Sequence, residues 1–98
     1  MVKKVLKEFK VEYIQVLDEK SNCDKALMPK LSDEEIKKIY ETMVLIRTFD
    51  QKAFNMQRQG RIGTYIQFKG QEACQVGCAL PLRDDDWVFP MYRESGLL

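Results

Sequence analysis

Ninety-eight residues leave room for one domain with a modest core. A hydrophobic fraction of 45% beside 32% charged residues belongs to a folding chain, and a net charge of +1 gives no electrostatic footprint for nucleic acid or an acidic membrane surface. No apolar run is long enough to cross a bilayer, and Glu8, Lys10 and Glu12 interrupt any apolar stretch behind Lys3, Lys4 and Lys7, which argues against a secretory signal.

Residues 8–17, EFKVEYIQVL, alternate apolar and polar through Phe9, Val11 and Tyr13, which predicts a strand with one buried face. The run DEKSNCDKALMPK (18–30) is rich in charge and turn formers and predicts a loop with room for a second short strand. Residues 1–30 carry seven Lys against five Asp and Glu, whereas the remainder is slightly acidic. The first thirty residues therefore read as an extension and 31–98 as the main body.

At Leu31 the signals strengthen. Ser32 and Glu35 stand three apart, the spacing of a capping box, and Asp33, Glu34 and Glu35 suit the positive end of a helix dipole. Ile36, Ile39, Tyr40, Met43, Ile46, Phe49, Ala53 and Met56 then recur at three- and four-residue steps until Gly60. A helix from about Asp33 to Gln59 is expected, its apolar stripe serving as packing surface.

The segment GRIGTYIQFKG (60–70) reads as a glycine-bracketed loop with a short extended piece at 65–68. Its Gly60-x-x-Gly63 spacing fits neither the dinucleotide fingerprint nor the phosphate-binding loop, so turn glycines are the better reading. QEACQVGCAL (71–80) predicts a second helix, with Ala73, Cys74, Gly77 and Cys78 small enough for a close neighbour. Both helices are expected to present apolar faces in need of a partner.

Cys23, Cys74 and Cys78 are an odd number without disulfide-framework spacing, which suits a reducing, cytoplasmic compartment. Cys74 and Cys78 stand four apart, but a closed zinc site wants four ligands and the chain has no histidine, so no metal site is assigned. Small buried helix residues are the expectation instead. The lack of histidine also removes the one side chain that titrates near neutrality in its ordinary state.

Beyond PLRDDD, residues Trp87–Phe89 predict a short buried strand that Pro90 stops. Tyr92 and Arg93 follow, where open α/β folds collect ligands, and an arginine fork suits phosphate. Residue logic alone leaves Arg93 open between that role and a surface arginine paired with Glu94 or an upstream aspartate.

The pieces MVLIRTFDQKAFNMQRQGRIGTY, GQEACQVGCAL and DDDWVFPMYRESG, which together cover most of 43–96, resemble the N-terminal part of the alpha subunit of thiamine diphosphate-dependent E1 components of 2-oxo acid dehydrogenases. The resemblance implies an α/β thiamine diphosphate-binding fold, mostly helical over this stretch with a few short strands, of which residues 31–98 are the start. It implies oxidative decarboxylation of pyruvate or a branched-chain 2-oxo acid, with acyl transfer to a lipoyl-bearing E2 component. The partner subunit would be E1 beta in an alpha2beta2 heterotetramer.

The family pattern also carries over to particular positions. It maps diphosphate binding to Tyr92 and Arg93, sets Met91 against the cofactor, and makes Tyr65 and Tyr92 neighbours of the substrate. No catalytic proton-transfer residue is implied in this chain, and the magnesium ligands of the family fall outside it. Ser95 stands where many members carry histidine, which puts that histidine's role in doubt here. The chain is thus expected to be the first part of a subunit, inactive by itself. The alternative function is a non-catalytic interaction fragment that binds no cofactor alone.

Overall fold

The computed structural model describes residues 3–98. The chain divides into two units, Met1–Lys30 and Leu31–Leu98. In the first, the one pairing among the described residues is an antiparallel bridge between Leu17 and Cys23. The Asp18 carboxylate shapes the turn between them, accepting from the Lys20 N–H at 2.9 Å, the Asn22 N–H at 2.7 Å and the Asn22 side chain at 2.8 Å. These donors, the Asn22 side chain foremost, hold the Asp18 carboxyl below its usual range.

The strand expected at 8–17 is not formed. Phe9, Val11 and Tyr13 are exposed, and no backbone ladder pairs with them among the described residues. Alternation can prepare a strand, but ladder hydrogen bonds need a neighbouring chain segment.

The second unit is built on helix α1, Asp33–Arg58. Its capping box is complete: the Glu35 N–H donates to the Ser32 hydroxyl at 3.2 Å, while the Ser32 N–H donates to the Glu35 carboxylate at 2.7 Å. The reciprocal bonds hold the Glu35 carboxyl below its ordinary range, the Ser32 N–H being the largest cause. At the other end the Gly60 N–H donates to the Gln57 carbonyl and the Arg61 N–H to the Met56 carbonyl. That pair of bonds is a Schellman closure, which requires the left-handed backbone that Gly60 adopts at φ +68°.

Helix α2, Glu72–Ala79, packs on α1, and a single 3-10 turn, Ser95–Leu97, packs on α2. Its buried residues are Glu72, Gln75 and Val76. Cys74 and Cys78 are exposed free thiols, contrary to the expectation that they are buried. The helix is turned so that two polar side chains point inward, because partners elsewhere in the chain satisfy them. Beside Gly77 no atom from outside its own stretch of helix lies within 4 Å of where a Cβ would stand.

No strand is present among the described residues, so the short strand expected at 87–89 is also corrected. Residues 65–68 take their hydrogen bonds from a side chain, as described below. Trp87 and Phe89 are exposed, with rings stacked on each other at 6.5 Å, and only Val88 between them is half-buried. The described chain is therefore helical with irregular connections.

The buried centre of this unit is small. Ala53, Phe68 and Val76 are its apolar members, and Asp50, Glu72 and Gln75 its polar ones. Ile36, Tyr40 and Phe49 of the predicted α1 stripe remain exposed. Every buried side-chain polar atom among the described residues has a hydrogen-bond partner.

Candidate functional site

Three polar side chains organise the region between α1, α2 and the last residues. The first is Asp50, fully buried on α1 in line with Ile46 and Ala53. Its Oδ1 accepts from the Tyr65 hydroxyl at 2.8 Å and from the Phe68 N–H at 3.0 Å. Its Oδ2 accepts from the Gln67 side-chain amide at 3.2 Å. Segment 65–68 thus runs across α1 pinned at three points to one carboxylate. Phe68 closes the space beneath it and is itself 1% exposed.

Tyr65 is half-buried, its ring meeting Phe49 edge to face with centroids 6.4 Å apart. Burial, followed by the bond to Asp50 and that group's charge, pushes the Tyr65 phenol well above its ordinary range.

The second organiser is Glu72, in the first turn of α2. It forms a two-pronged ion pair with Arg47 of α1, in which Arg47 Nε and Nη2 donate to the two carboxylate oxygens. Both oxygens also receive the Gly70 N–H, at 3.1 and 3.0 Å. The Arg47 bond, against the opposing effect of burial, lowers the Glu72 carboxyl from 4.5 to about 2. The same bond raises the Arg47 guanidinium.

The third is Gln75, 3% exposed on the inner face of α2. Its amide donates to the Arg93 carbonyl at 2.8 Å, and its Oε1 accepts the Gly96 N–H at 2.8 Å. One buried amide therefore clasps both sides of the turn that carries Arg93. Gly96 is needed for that closeness: a Cβ there would lie 2.7 Å from Gln75 Oε1, 3.0 Å from Ile46 Cδ1 and 3.1 Å from Phe68 Cε2.

These contacts fix where the expected site residues stand. The Arg93 Nη1 donates to the Gln67 carbonyl at 2.9 Å, so the Tyr65–Phe68 segment and the Tyr92–Arg93 turn meet. The Arg93 guanidinium lies 5.7 Å from the Tyr92 ring centroid. Neither partner anticipated for a surface arginine is used. Glu94 turns to accept the Met91 N–H at 2.8 Å, and Asp85 and Asp86 face Arg83 at 3.3 and 3.4 Å. Arg93 makes no ion pair among the described residues, and it is exposed together with Met91 and Tyr92.

Tyr65 and Arg93 are thus brought to one frame through Gln67, while Met91 and Tyr92 project from it. They do not line either nearby hollow. A cavity of about 370 Å3 lies beside Arg47 and Glu72, and a groove of about 440 Å3 runs between α1, α2 and the last residues.

Sequence reasoning missed Arg47, Asp50, Glu72 and Gln75. Asp50 offered a signal: a carboxylate in line with Ile46 and Ala53 interrupts an apolar stripe, and such a residue needs partners. The Arg47–Glu72 pair spans 25 positions and left no local mark.

Comparison with known proteins adds the following. The family model described as "Dehydrogenase E1 component" matches residues 40–98. The alpha subunit of 3-methyl-2-oxobutanoate dehydrogenase from Mycobacterium tuberculosis is 48% identical over 67 residues, covering 68% of this chain and 18% of that protein. The alpha subunit of the pyruvate dehydrogenase E1 component from Staphylococcus aureus is 40% identical over 86 residues, 87% of this chain and 23% of that protein. Its counterpart from Staphylococcus epidermidis is 40% identical over 94 residues, 93% and 25% of the two chains. This chain therefore spans about a quarter or less of the length of these curated relatives. No solved structure matches it.

Proposed function

The chain belongs to the dehydrogenase E1 component family, and we propose on that premise that it forms the N-terminal part of the alpha subunit of a thiamine diphosphate-dependent 2-oxo acid dehydrogenase. Pyruvate is the favoured substrate and branched-chain 2-oxo acids the second choice, with the acyl group passing to a lipoyl-bearing E2 component. The relatives carry both pyruvate and 3-methyl-2-oxobutanoate in their names. Partnership with an E1 beta subunit in an alpha2beta2 heterotetramer, an α/β fold for the complete domain and a cytoplasmic location complete the reading.

The observation that carries it is the state of Arg93. The guanidinium is exposed and paired with no carboxylate among the described residues. Its carbonyl is clasped by Gln75, and one of its nitrogens is oriented by the Gln67 carbonyl. A positive fork oriented in this way suits a diphosphate better than a solvated surface charge.

Bound thiamine diphosphate supplies the carbanion chemistry by which 2-oxo acids lose carbon dioxide. The residues of this chain bind and shape. Arg93 offsets diphosphate charge with the N–H groups that Gln67 leaves free. Tyr92 adds a hydroxyl donor and a ring, and Met91 an apolar contact. Tyr65 and Tyr92 border the 2-oxo acid, and magnesium is held by residues outside this chain. None of these side chains is assigned a proton transfer, in keeping with a sequence without histidine and with Ser95 where the family pattern implies one in many members.

The test is reconstitution with an E1 beta subunit and an alpha-subunit remainder taken from a relative. Cofactor-dependent decarboxylation of pyruvate, with slower turnover of 3-methyl-2-oxobutanoate, is the expected result. Assembly without thiamine diphosphate binding would replace this reading with that of an interaction fragment.

A further inference from the structure

We propose that Asp50 is a positioning residue for Tyr65: it engages the phenolic hydroxyl from the protein side, so that Tyr65 meets a ligand with its ring and not with its O–H. The proposal rests on the reading that Tyr65 borders the 2-oxo acid.

Three features of the geometry carry it. The Tyr65 hydroxyl lies 2.8 Å from Asp50 Oδ1, and that carboxylate is fully buried. A buried carboxylate that loses a donor suffers a large desolvation cost, so the bond resists exchange for a ligand oxygen. Gln67 and Phe68, two and three positions on, are fixed by the same group, through the Gln67 amide and the Phe68 N–H. Swinging the hydroxyl outward therefore means breaking one bond of a three-bond set. Phe49, edge-on at 6.4 Å, holds the ring itself.

The consequence concerns specificity. A tyrosine with a free hydroxyl would favour substrates bearing a matching acceptor, whereas one with its hydroxyl committed inward discriminates by volume. The arrangement also reaches Arg93, because the Gln67 carbonyl that receives Nη1 belongs to the segment Asp50 pins. One carboxylate thus sets the register of two side chains assigned to different ligands.

Charged groups around the bond are few. Arg47 stands one turn away on α1 and is paired with Glu72, and among the described residues no charged side chain hydrogen-bonds to Asp50.

The experiment uses the full chain with its four tyrosines labelled with carbon-13 at Cζ, the Tyr65 signal being assigned through Tyr65→Phe. From about pH 8 to about pH 11 the Tyr65 signal is expected to stay at the neutral-phenol position, with helix content monitored in parallel. Asp50→Asn, which removes the charge and weakens the acceptor but leaves the burial, is expected to bring the Tyr65 titration to lower pH than in the wild type. A wild-type Tyr65 signal that reaches the phenolate position by about pH 11 while the helices persist, or that is unmoved by Asp50→Asn, overturns the proposal. Should the helices melt before about pH 11, a Tyr65 shift at neutral pH inside the spread of the other three overturns it equally. The difference between wild type and Asp50→Asn reads the Asp50–Tyr65 contact and not turnover, so loss of decarboxylation in the reconstituted enzyme would strike the functional reading and leave this one standing.

Discussion

Segments 65–68 and 87–92 are both short, aromatic and irregular, yet they behave as opposites. The first holds Phe68 at 1% exposure because a buried carboxylate receives its backbone and side-chain donors. The second leaves Trp87 at 84% and Phe89 at 87% exposure, their rings stacked on one another and on nothing else described. Apolar content does not separate the two. What separates them is whether the carboxylate that receives the segment's donors is fully buried, as Asp50 is, or only half-buried, as Glu94 is beside Met91. In a unit whose buried residues are half polar, hydrogen-bond satisfaction decides which segment is held and which is left outside.

The comparison can be broken most severely at the anchor. Asp50→Ala removes the acceptor of three donors and leaves the buried Phe68 N–H unsatisfied, so a loss of about 3 kcal/mol is expected in denaturant unfolding. Trp87→Ala on the exposed segment should change stability by no more than about 0.5 kcal/mol. Equal losses at the two positions would remove the distinction.

A second, smaller effect sharpens the same contrast through pH. The Glu72 carboxyl is lowered from 4.5 to about 2 by Arg47, so the folded state favours the carboxylate. The stability it contributes is complete above pH 4.5 and is lost as pH falls from 4.5 toward 2. Glu72→Gln should flatten that acid limb and cost about 1–2 kcal/mol at neutral pH, the scale of a charged hydrogen bond shared with a half-exposed arginine. A wild-type acid limb unchanged by the substitution would mean that another carboxylate controls it.

The smallest expected effect lies at the start of α1. Ser32→Ala should cost about 1 kcal/mol through the lost cap, with helix content falling only at that end. A change below measurement would mean that solvent satisfies the Glu35 N–H as well as Ser32 does.

These contrasts also explain what was legible in the sequence. The capping box at Ser32 and Glu35, the stripe of α1 and the glycine stop at Gly60 are local devices, so spacing alone revealed them. The strands at 8–17 and 87–89 were expected from local patterns but did not form, because pairing is a property of two segments. The inward face of α2 was misassigned for a related reason. Cys74 and Cys78 look like core residues and Glu72 and Gln75 like surface ones, until Arg47, Gly70, Arg93 and Gly96 arrive from distant positions to satisfy them. The positions of Tyr65 and Arg93 in the chain were legible through family resemblance, whereas the frame that holds them was not.

The most direct test of the account is calorimetric titration of thiamine diphosphate, with magnesium, into the reconstituted heterotetramer carrying Arg93→Ala, Arg93→Lys or Glu94→Ala. Arg93→Ala is expected to weaken binding by about 2–3 kcal/mol, the scale of a charge-assisted contact, with Arg93→Lys in between because lysine lacks the planar fork. Glu94→Ala should change affinity little, since that carboxylate is turned to the Met91 N–H. Cofactor affinity unchanged in all three variants, with Arg93→Ala and Glu94→Ala lowering stability alike, would contradict the account and return Arg93 to the ordinary surface.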